Sequence, residues 1–307
     1  MRIIVTGSMA YDHILDFPQK FADHIMPDKL HVLSVSFLVD NFSKNFGGTA
    51  GGIAYTLGLL GNEVAILSNL GKDAKEYLKH LQKNGVDTAL IKIGKKDFTA
   101  NLFVITDRAD CQIAGFYPGA MKRDNYLKLP EACDFLVISP TMPEAMESFV
   151  KQAKFKRIRY LYAPAQQIPR LTKEQLLRGI NGAEILIGND YELALVEEKT
   201  AMKKKQLAKM VKILIITLGE KGSIIYTQGK EISIPIVKPK KLVDPTGAGD
   251  AFIAGFLHGY LNGEKVKIAG QMAALAASYV LEQYGTQNHR FDSTSFGTRY
   301  VKVFKKQ

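Results

Sequence analysis

The feature that most constrains the fold is a regular alternation of short apolar runs with helical patterns from residue 134 onward. The apolar runs predict buried strands, at 134–139, 158–162, 184–188 and 212–217. The segments between them predict helices, at 143–153, 173–181 and 190–198. Strands that alternate with helices are typical of a parallel sheet covered by helices on both faces. The sequence therefore predicts an α/β fold with a central, mostly parallel sheet.

A hairpin and two long helices follow this alternating region. The segments GSIIYT at 222–227 and KEISIPI at 230–236 predict two strands joined by a Gln-Gly turn. The two helices are predicted at 248–261 and 265–283.

The N-terminal part contains β-rich segments that interrupt the core pattern. Core elements are predicted there as well, with strands at 2–6 and 63–68 and helices at 49–60 and 73–84. The β-rich segments are 13–17, 30–39 and 99–117, the last being two strands, 99–105 and 111–117, separated by the turn DRAD. We therefore expect one compact α/β unit over 1–307, with a small β-sheet lid formed by these three segments.

The composition excludes several classes of protein. No window approaches about 18 consecutive apolar residues, so no transmembrane helix is predicted. The start, MRIIVTGS, lacks the apolar stretch and cleavage site of a signal peptide, so we expect a cytoplasmic protein without a membrane partner. The cysteines, Cys111 and Cys133, lack the CxxC spacing of a metal cluster and are expected to be buried, reduced thiols.

The net charge of +11 raises the question of nucleic-acid binding. The lysines are dispersed, with short clusters at Lys203–Lys205, Lys238–Lys241 and the C-terminus. No zinc-finger, helix-turn-helix or RNA-binding signature accompanies them. A solvated surface that also attracts polyanionic nucleotides is the favoured interpretation, and specific nucleic-acid binding is the alternative.

The most informative motif is Asp244-Pro-Thr-Gly-Ala-Gly-Asp250-Ala-Phe. It lacks the lysine of a Walker loop, but the small residues Gly247, Ala248 and Gly249 let backbone N–H groups approach a phosphate closely. They begin a predicted helix, whose N-terminal amides and dipole favour negative charge. These three residues are therefore a candidate anion hole for a phosphoryl group in transfer.

Asp250 lies in the first turn of that predicted helix. A carboxylate there can accept the proton of an attacking hydroxyl, which makes Asp250 the candidate catalytic base. The structural alternative is a Gly-rich turn whose aspartate caps the helix.

Two signatures together point to a family. The motif DPTGAGDAF resembles the C-terminal signature of the ribokinase-like (PfkB) carbohydrate kinases, and the string Gly47–Gly61 resembles their N-terminal signature. Further strings resemble mycobacterial-type bacterial adenosine kinases, namely Gly7–His13, Ser34–Asp40, Phe116–Met121, Gln166-Gln167, Asn189–Glu192 and Gly285–Gln287. The resemblance runs from about residue 1 to 290. It implies a ribokinase-like fold and transfer of the γ-phosphoryl group of ATP to the ribose 5′-hydroxyl of adenosine.

The resemblance also implies where the sugar of the acceptor binds. Asp12 resembles the family's sugar-binding aspartate, whose oxygens suit two ribose hydroxyls as donors. Gly47 and Gly48 resemble the backbone turn that lies against the sugar, and Ser8 and Ser36 are candidate polar contacts. The alternatives are a turn or cap for the aspartate, the start of a helix for the glycines, and no role for the serines.

The nucleobase side is assigned in the same way. Leu102 and Phe116, with Phe37, are candidates to flank a purine, although apolar strand residues commonly pack in a core. The polar residues that resemble base-side and phosphate-side contacts are Gln166, Gln167 and Arg170, with a polar loop as the alternative.

The donor side is implied by two further strings. Asn189 and Glu192 match the family's NxxE motif, which influences Mg²⁺ and phosphate binding through water, and which can equally be a capping box. Thr217, Gly219 and Gly222 resemble the nucleotide-side loop, with a simple hairpin turn as the alternative. In some relatives the region 285–287 helps bind a monovalent cation, so K⁺ is an open cofactor beside ATP and Mg²⁺.

Three positions depart from the family pattern on the acceptor side. Gly52 stands where an Asn usually contacts a substrate hydroxyl, Ala163 where adenosine kinases of this type have Asp, and Leu102 where an aromatic is expected. The acceptor is therefore open between adenosine, another nucleoside and a ribose-like sugar, and a non-catalytic nucleoside or nucleotide binder is a further alternative. Because the lids of relatives often pair, a homodimer through the lid is also expected.

Overall fold

The structure, a computed structural model, describes residues 1–305 of the 307-residue chain. Its strands are, in chain order, β1 (Ile3–Thr6), β2 (Ala10–Asp16), β3 (Asn41–Gly47), β4 (Val64–Leu67), β5 (Asn69–Leu70), β6 (Val86–Asp87), β7 (Lys92–Ile93), β8 (Ala100–Thr106), β9 (Gln112–Tyr117), β10 (Phe135–Ile138), β11 (Arg159–Tyr162), β12 (Ile185–Asn189), β13 (Ile213–Thr217), β14 (Ser223–Thr227) and β15 (Lys230–Ile234).

The α-helices are α1 (Thr49–Leu59), α2 (Lys75–Lys83), α3 (Pro143–Lys156), α4 (Lys173–Ile180), α5 (Asp190–Thr200), α6 (Lys204–Met210), α7 (Ala248–Leu261), α8 (Val266–Val280) and α9 (Ser293–Phe304). Short 3-10 helices occupy Phe21–Asp23, Pro27–Val32, Gly119–Tyr126, Ala165–Gln167 and Gly219–Lys221.

A nine-stranded sheet forms the centre of the molecule, in the order β15-β14-β13-β12-β11-β10-β1-β4-β6. All pairs from β13 to β6 are parallel, and only the hairpin strands β14 and β15 are antiparallel. The predicted α/β fold with a mostly parallel sheet is therefore confirmed. Because parallel strands run the same way, their carboxyl ends meet along one edge, where ligands of such sheets usually bind.

The sheet is buried on both faces, which explains why its strands read as continuous apolar runs. Along β1, Ile3 and Val5 belong to an apolar layer that includes α1, α7 and α8. The intervening Ile4 belongs to the opposite layer, which includes α3, α4 and α5. Successive side chains of a strand point to opposite faces, so one short run of apolar residues supplies both layers.

A separate four-stranded sheet, in the order β3-β2-β8-β9, forms the small β-sheet that the sequence predicts. β2 pairs antiparallel with β3 and parallel with β8, and β8 pairs antiparallel with β9 through the predicted turn at 107–110. We call these four strands the lid sheet. Two of the three segments assigned to the lid, 13–17 and 99–117, contribute strands to it.

The third lid segment, 30–39, is not a strand, and this prediction was wrong. It contains the end of a 3-10 helix followed by irregular chain, and the strand beside β2 is formed by 41–47 instead. Apolar side chains favour a strand only where a partner strand and a packing surface receive them. Here they are largely exposed, with Leu38 at 85%.

Smaller differences concern helices and a cysteine. The prediction omitted α6 and α9, and α8 ends at Val280 rather than at 283. Cys133 is buried as expected, but Cys111 is exposed, because it closes the β8–β9 turn, where its backbone N–H donates to Asp107 Oδ1 over 2.9 Å. Within residues 1–305, none of the helices combines the length and apolar character that a membrane crossing requires.

Candidate active site

A cavity of about 560 Å³ lies between the carboxyl ends of the central strands and the lid sheet. Most of the residues predicted from the sequence line it, namely Ser8, Asp12, Gly48, Leu102, Phe116, Gln166, Gln167, Arg170, Asn189, Glu192, Thr217, Gly247, Gly249 and Asp250. Residues from both halves of the chain therefore meet in one cavity large enough for small ligands.

Six predicted residues, Phe37 among them, do not form its wall. Gly47 and Ala248 are the immediate neighbours of lining residues. Gly219 and Gly222 lie in the turn between β13 and β14, which follows Thr217 at the end of β13. Ser36 is exposed on the irregular segment that follows the second 3-10 helix, and the structure does not bring it to the cavity.

The Gly-rich motif forms a tight turn that leads into α7. Gly247 is the residue before the helix and has φ +84°, a left-handed conformation that favours glycine. A Cβ on Gly247 would lie 2.8 Å from Thr286 Cβ, whereas a Cβ on Gly249 would meet nothing within 4 Å. The turn is thus packed on one side and open on the cavity side, so the first amides of α7 are available to an anion.

Asp250 lies in the first turn of α7, at the floor of the cavity. Enclosure by the surrounding protein raises the pKa of this carboxyl to about 8, with smaller contributions from the charges of Asp12 and Glu192. A carboxyl whose pKa lies near neutrality is suited to accept a proton from a substrate.

Asp12 comes from β2 of the lid sheet and faces the same cavity. Burial raises its pKa to about 7, and the charge of Asp244 adds to the effect. A Cβ on Gly47 would lie 2.0 Å from Asp12 Oδ2, so the absence of a side chain at Gly47 makes room for this carboxylate. Gly52 has the same relation to Asp250, because a Cβ there would lie 2.8 Å from Asp250 Oδ2.

A network of hydroxyl groups joins the first loop to the central sheet. Ser8 Oγ accepts from the Thr49 backbone N–H over 3.1 Å and lies 3.3 Å from Thr49 Oγ1. Thr49 Oγ1 lies 3.0 Å from Ser139 Oγ, which donates to the Thr6 carbonyl over 2.8 Å. This network holds the start of α1 against the ends of β1 and β10.

The lid sheet presents one face to the cavity. Asp12 is opposite Leu102 in the β2–β8 pair, and Leu102 is opposite Phe116 in the β8–β9 pair, so the three side chains share a face. Phe116 is 46% exposed, and Phe37 packs instead on Phe17 and Phe21 outside the cavity. Two apolar side chains next to one carboxylate suit a ligand with a flat ring and a hydroxylated part.

Gln166 and Gln167 belong to the 3-10 helix after β11. Gln167 is only 9% exposed, and its Oε1 has no hydrogen-bond partner within residues 1–305. A buried amide oxygen without a partner is costly, which makes it a candidate acceptor for a ligand N–H group.

The NxxE motif does form a capping box at the start of α5. Asn189 Oδ1 accepts from the Glu192 N–H over 2.7 Å, and Glu192 Oε2 accepts from the Asn189 N–H over 2.9 Å. Burial raises the pKa of Glu192, and the Asn189 amide opposes this shift. The box uses Glu192 Oε2, and both residues line the cavity.

The sequence analysis missed Ser139 and Pro140 of the cavity lining altogether. It gave no separate role to further lining residues that lie within the strings it named, which are Thr49, Ile53, Met121, Thr246 and Thr286. Ser139 directly follows β10, and Thr49 begins α1 next to the predicted Gly47 and Gly48. The rule that ligands bind at the carboxyl ends of parallel strands could have identified Ser139. Met121 lies in the 3-10 helix Gly119–Tyr126 and Thr286 in the segment between α8 and α9, and neither follows a strand of the central sheet.

Known proteins resemble this chain over most of its length. The sequence profile described as pfkB family carbohydrate kinase matches residues 5–292. A nucleoside kinase of Methanocaldococcus jannaschii is 30% identical over 291 residues, which cover 94% of this chain and 93% of that protein. A cytidine kinase of Thermococcus kodakarensis is 29% identical over 252 residues, which cover 78% of this chain and 88% of that protein.

A solved structure shares the fold over nearly the whole chain. Nucleoside kinase of Burkholderia thailandensis in complex with inosine has a TM-score of 0.90 at 30% identity, covering 99% of this chain and 98% of that one. The same kinase in complex with ADP-inosine has a TM-score of 0.87 at 31% identity, covering 99% of this chain and 96% of that one. The similarity to these structures includes the lid sheet as well as the central sheet.

Proposed function

The chain belongs to the pfkB family of carbohydrate kinases, and from this premise we propose that it transfers the γ-phosphoryl group of ATP to the 5′-hydroxyl of a nucleoside. As a member of this family it is a phosphotransferase with an alcohol group as acceptor. The observation that carries the proposal is Asp250, a carboxyl of raised pKa at the start of α7, facing the same cavity as Asp12.

A purine nucleoside is the acceptor that the site favours. Leu102 and Phe116 offer apolar surface to a flat base, and the two faces of a purine suit such contacts. The Gln167 amide carries both a donor and an acceptor, so it can pair with adenine or with a 6-oxopurine. Adenosine, which the sequence resemblance implies, and inosine, which the Burkholderia thailandensis kinase binds, are therefore the first acceptors to compare.

Asp12 holds the sugar in this proposal. Its carboxylate accepts hydrogen bonds from ribose hydroxyls, while the backbone of Gly47 and Gly48 lies against the ring. At Gly52, where the family usually has Asn, the Asp250 side chain takes the space that another side chain would need, so the 5′-hydroxyl is placed by Asp12 and by the fit of the cavity.

Asp250 then orients the acceptor hydroxyl and takes its proton as the oxygen attacks the γ-phosphorus. The bond between the γ-phosphorus and the β,γ-bridging oxygen breaks, and ADP leaves. Backbone N–H groups from Gly247 to Asp250 neutralise the charge that develops on the phosphoryl oxygens. The lid sheet covers the acceptor and excludes water, which limits hydrolysis of ATP.

The residues present also fit Mg²⁺ brought by the nucleotide. No three His, Cys, Asp or Glu side chains within residues 1–305 come together to hold a metal by themselves. Mg²⁺ keeps several waters and binds phosphate oxygens, so the single carboxylate of Glu192, acting through water, is a sufficient protein contribution. The metal supplies charge neutralisation on the phosphates.

Thr217, with Asn189, borders the donor side of the cavity, and the turn that contains Gly219 and Gly222 follows it. We assign ATP to this side. From the family resemblance we also propose a K⁺ site near the segment 285–287 and a homodimer formed through the lid sheet. A cytoplasmic location remains a prediction.

A panel of nucleosides tests the function. Purified protein with ATP and Mg²⁺ is given adenosine, inosine, guanosine, cytidine or ribose, and ADP release and the phosphorylated product are measured. We expect a purine nucleoside to give the highest kcat/KM and a 5′-monophosphate as product. Ligand binding without any phosphorylated product would instead indicate a non-catalytic binder, and ribose as the best acceptor would contradict the nucleoside assignment.

A further inference from the structure

A chain of hydrogen bonds lies behind the acceptor side of the cavity. The Tyr77 hydroxyl of α2 donates to the Gly47 carbonyl oxygen over 2.5 Å, and Gln287 Nε2 donates to the Tyr77 hydroxyl oxygen over 2.6 Å. Tyr77 is completely buried, and Gln287 is 1% exposed. Neither side chain is among the residues that line the cavity, so neither contacts a ligand there.

At one end, these hydrogen bonds reach Gly47, which lies against the Asp12 carboxylate. Gly47 ends β3 and is opposite Ala10 in the β2–β3 pair. The Asp12 carboxylate occupies the space where a side chain on Gly47 would be, with Oδ2 only 2.0 Å from that Cβ position. A shift of the Gly47 peptide therefore moves the wall against which Asp12 lies.

The other end reaches the Gly-rich turn of the anion hole. Gln287 follows Thr286, whose hydroxyl donates to the Phe46 carbonyl over 3.0 Å and whose side chain packs on Gly247. Just before it, the Gly285 N–H donates to Asp244 Oδ2 over 2.9 Å. The segment 285–287 is thus bonded to the end of β3 on one side and to the Gly-rich motif on the other.

The side chains of Tyr77 and Gln287 are tightly packed. A Cβ on Gly51 of α1 would lie 2.0 Å from the Tyr77 hydroxyl oxygen and 2.6 Å from Gln287 Nε2. The Tyr77 ring packs against Phe46 and Tyr11, with ring centroids 4.9 and 5.7 Å apart. Interiors packed in this way transmit a displacement rather than absorb it.

We propose that Tyr77 and Gln287 are positioning residues. They hold the Gly47–Gly48 turn, and through it Asp12, at a fixed position relative to the anion hole. The inference rests on the proposed function, because it requires the acceptor to bind at Asp12. Removing the Tyr77 hydroxyl takes one hydrogen bond from the Gly47 carbonyl and one from the Gln287 amide, so the turn relaxes. A displacement of about 1 Å is enough to impair a reaction that depends on orientation.

Tyr77→Phe tests this, with Tyr160→Phe as a matched control. Tyr160 is also buried, at 1% exposure, and its hydroxyl also donates to a glycine carbonyl, that of Gly179, over 2.9 Å. It belongs to the apolar layer of α3 and α4 and does not line the cavity. Both variants therefore lose the same kind of hydrogen bond, but only one loses contact with the acceptor side.

We expect Tyr77→Phe to raise the KM for the nucleoside about tenfold while the KM for ATP changes less than about twofold. Tyr160→Phe should lower the melting temperature but leave both KM values at the wild-type level. Gln287→Met, which keeps the length of the side chain and removes the amide, should raise the nucleoside KM in the same direction, even if Tyr77→Phe does not fold.

Three results would overturn the inference. The nucleoside KM could stay at the wild-type level in the Tyr77 and Gln287 variants that fold. It could also rise equally in Tyr160→Phe, which would reduce the effect to a loss of stability. If the wild type phosphorylates no nucleoside at all, the proposed function itself is wrong and this inference falls with it, a result that the wild-type assay distinguishes from the other two.

Discussion

Three carboxyl groups face one cavity, and their mutual effects define the chemistry of Asp250. Enclosure by the protein raises its pKa to about 8, and the nearby charges of Asp12 and Glu192 act in the same direction. Asp12 itself has a pKa raised to about 7 by burial and by Asp244. A base with such a pKa is strong enough to take a proton from a hydroxyl, but it must first lose its own.

The rate should therefore depend on pH through Asp250. At about pH 6 most of the free enzyme carries a protonated Asp250, and at about pH 9 most carries the carboxylate. We expect kcat/KM for the nucleoside to rise with pH over this range and then to level off, because kcat/KM reports the free enzyme. Steady-state rates between these pH values, at saturating ATP, measure the profile.

Two variants separate the roles of the carboxyl groups in this profile. Asp250→Asn should lower kcat by about 10² to 10⁴ while ATP still binds, because only the base is lost. Asp12→Asn should raise the nucleoside KM and move the rising limb to lower pH, because one of the charges that raise the pKa of Asp250 is gone. A flat wild-type profile, or near-normal turnover of Asp250→Asn, would show that Asp250 is not the base.

Among the helices and strands, the turn before α7 carries the most specific requirement. Gly247 has φ +84°, and its missing side chain accommodates Thr286. In Gly247→Ala the new Cβ meets Thr286 Cβ at 2.8 Å, so the turn and the amides that follow it must move. We expect kcat to fall on the order of 10²-fold, as for a small misplacement of catalytic groups, measured in the nucleoside assay.

Gly263→Ala is the matched control for that substitution. Gly263 lies just past the other end of α7 with φ +85°, and a Cβ there would meet nothing within 4 Å. Both variants should lose about 1–2 kcal/mol of stability from left-handed strain, but only Gly247→Ala should lose turnover. Equal loss of turnover in both would mean that strain, not displacement of the anion hole, is responsible.

The same helices and strands show how far the sequence alone could lead. Apart from the edge strand β6, which was not predicted, the core strands and α1 to α5 follow from apolar runs and helical periodicity, and their bounds differ from the structure by only a few residues. The Gly-rich motif and Asp250 could be placed in one site because small residues before a helix have a direct physical meaning. These features depend on residues that are close in the sequence, which is why they could be predicted from it.

The remaining differences involve contacts between distant segments. The sequence gives 30–39 strong strand propensity, but its place beside β2 is taken by 41–47, a choice that only the pairing decides. Ser36 was assigned with that segment, and the structure leaves it exposed. Tyr77 and Gln287 are separated by most of the chain, and nothing in either local sequence indicates that they are hydrogen-bonded.

The cavity also affects the stability of the molecule as a whole, because folding brings Asp12, Asp250 and Glu192 together. Each of these carboxyl groups has a pKa in the folded state above its usual value, with burial as the main cause. The folded protein therefore binds their protons more tightly than the unfolded chain does. Between the unfolded and the folded pKa, a rise in pH lowers the free energy of unfolding.

For Asp250 this interval runs from its ordinary value of 3.8 to about 8. Asn cannot ionise and has nearly the same shape as Asp, so Asp250→Asn removes the free-energy cost of holding an ionised carboxylate in the folded protein. We expect the variant to match the wild type near pH 4 and to exceed it by about 1–3 kcal/mol at pH 8, after allowance for solvent in the open cavity. Urea unfolding at several pH values, followed by circular dichroism, measures the difference.

An exposed aspartate supplies the control for this prediction. Asp28→Asn removes one negative charge from the surface 3-10 helix Pro27–Val32, so it tests the effect of net charge alone. Its stability should follow the wild type at every pH. Should Asp250→Asn gain nothing between pH 4 and pH 8, the buried carboxyl group would not oppose folding. Burial would then not be the cause of its raised pKa. The argument that poor solvation in the cavity makes Asp250 an active base would be wrong as well.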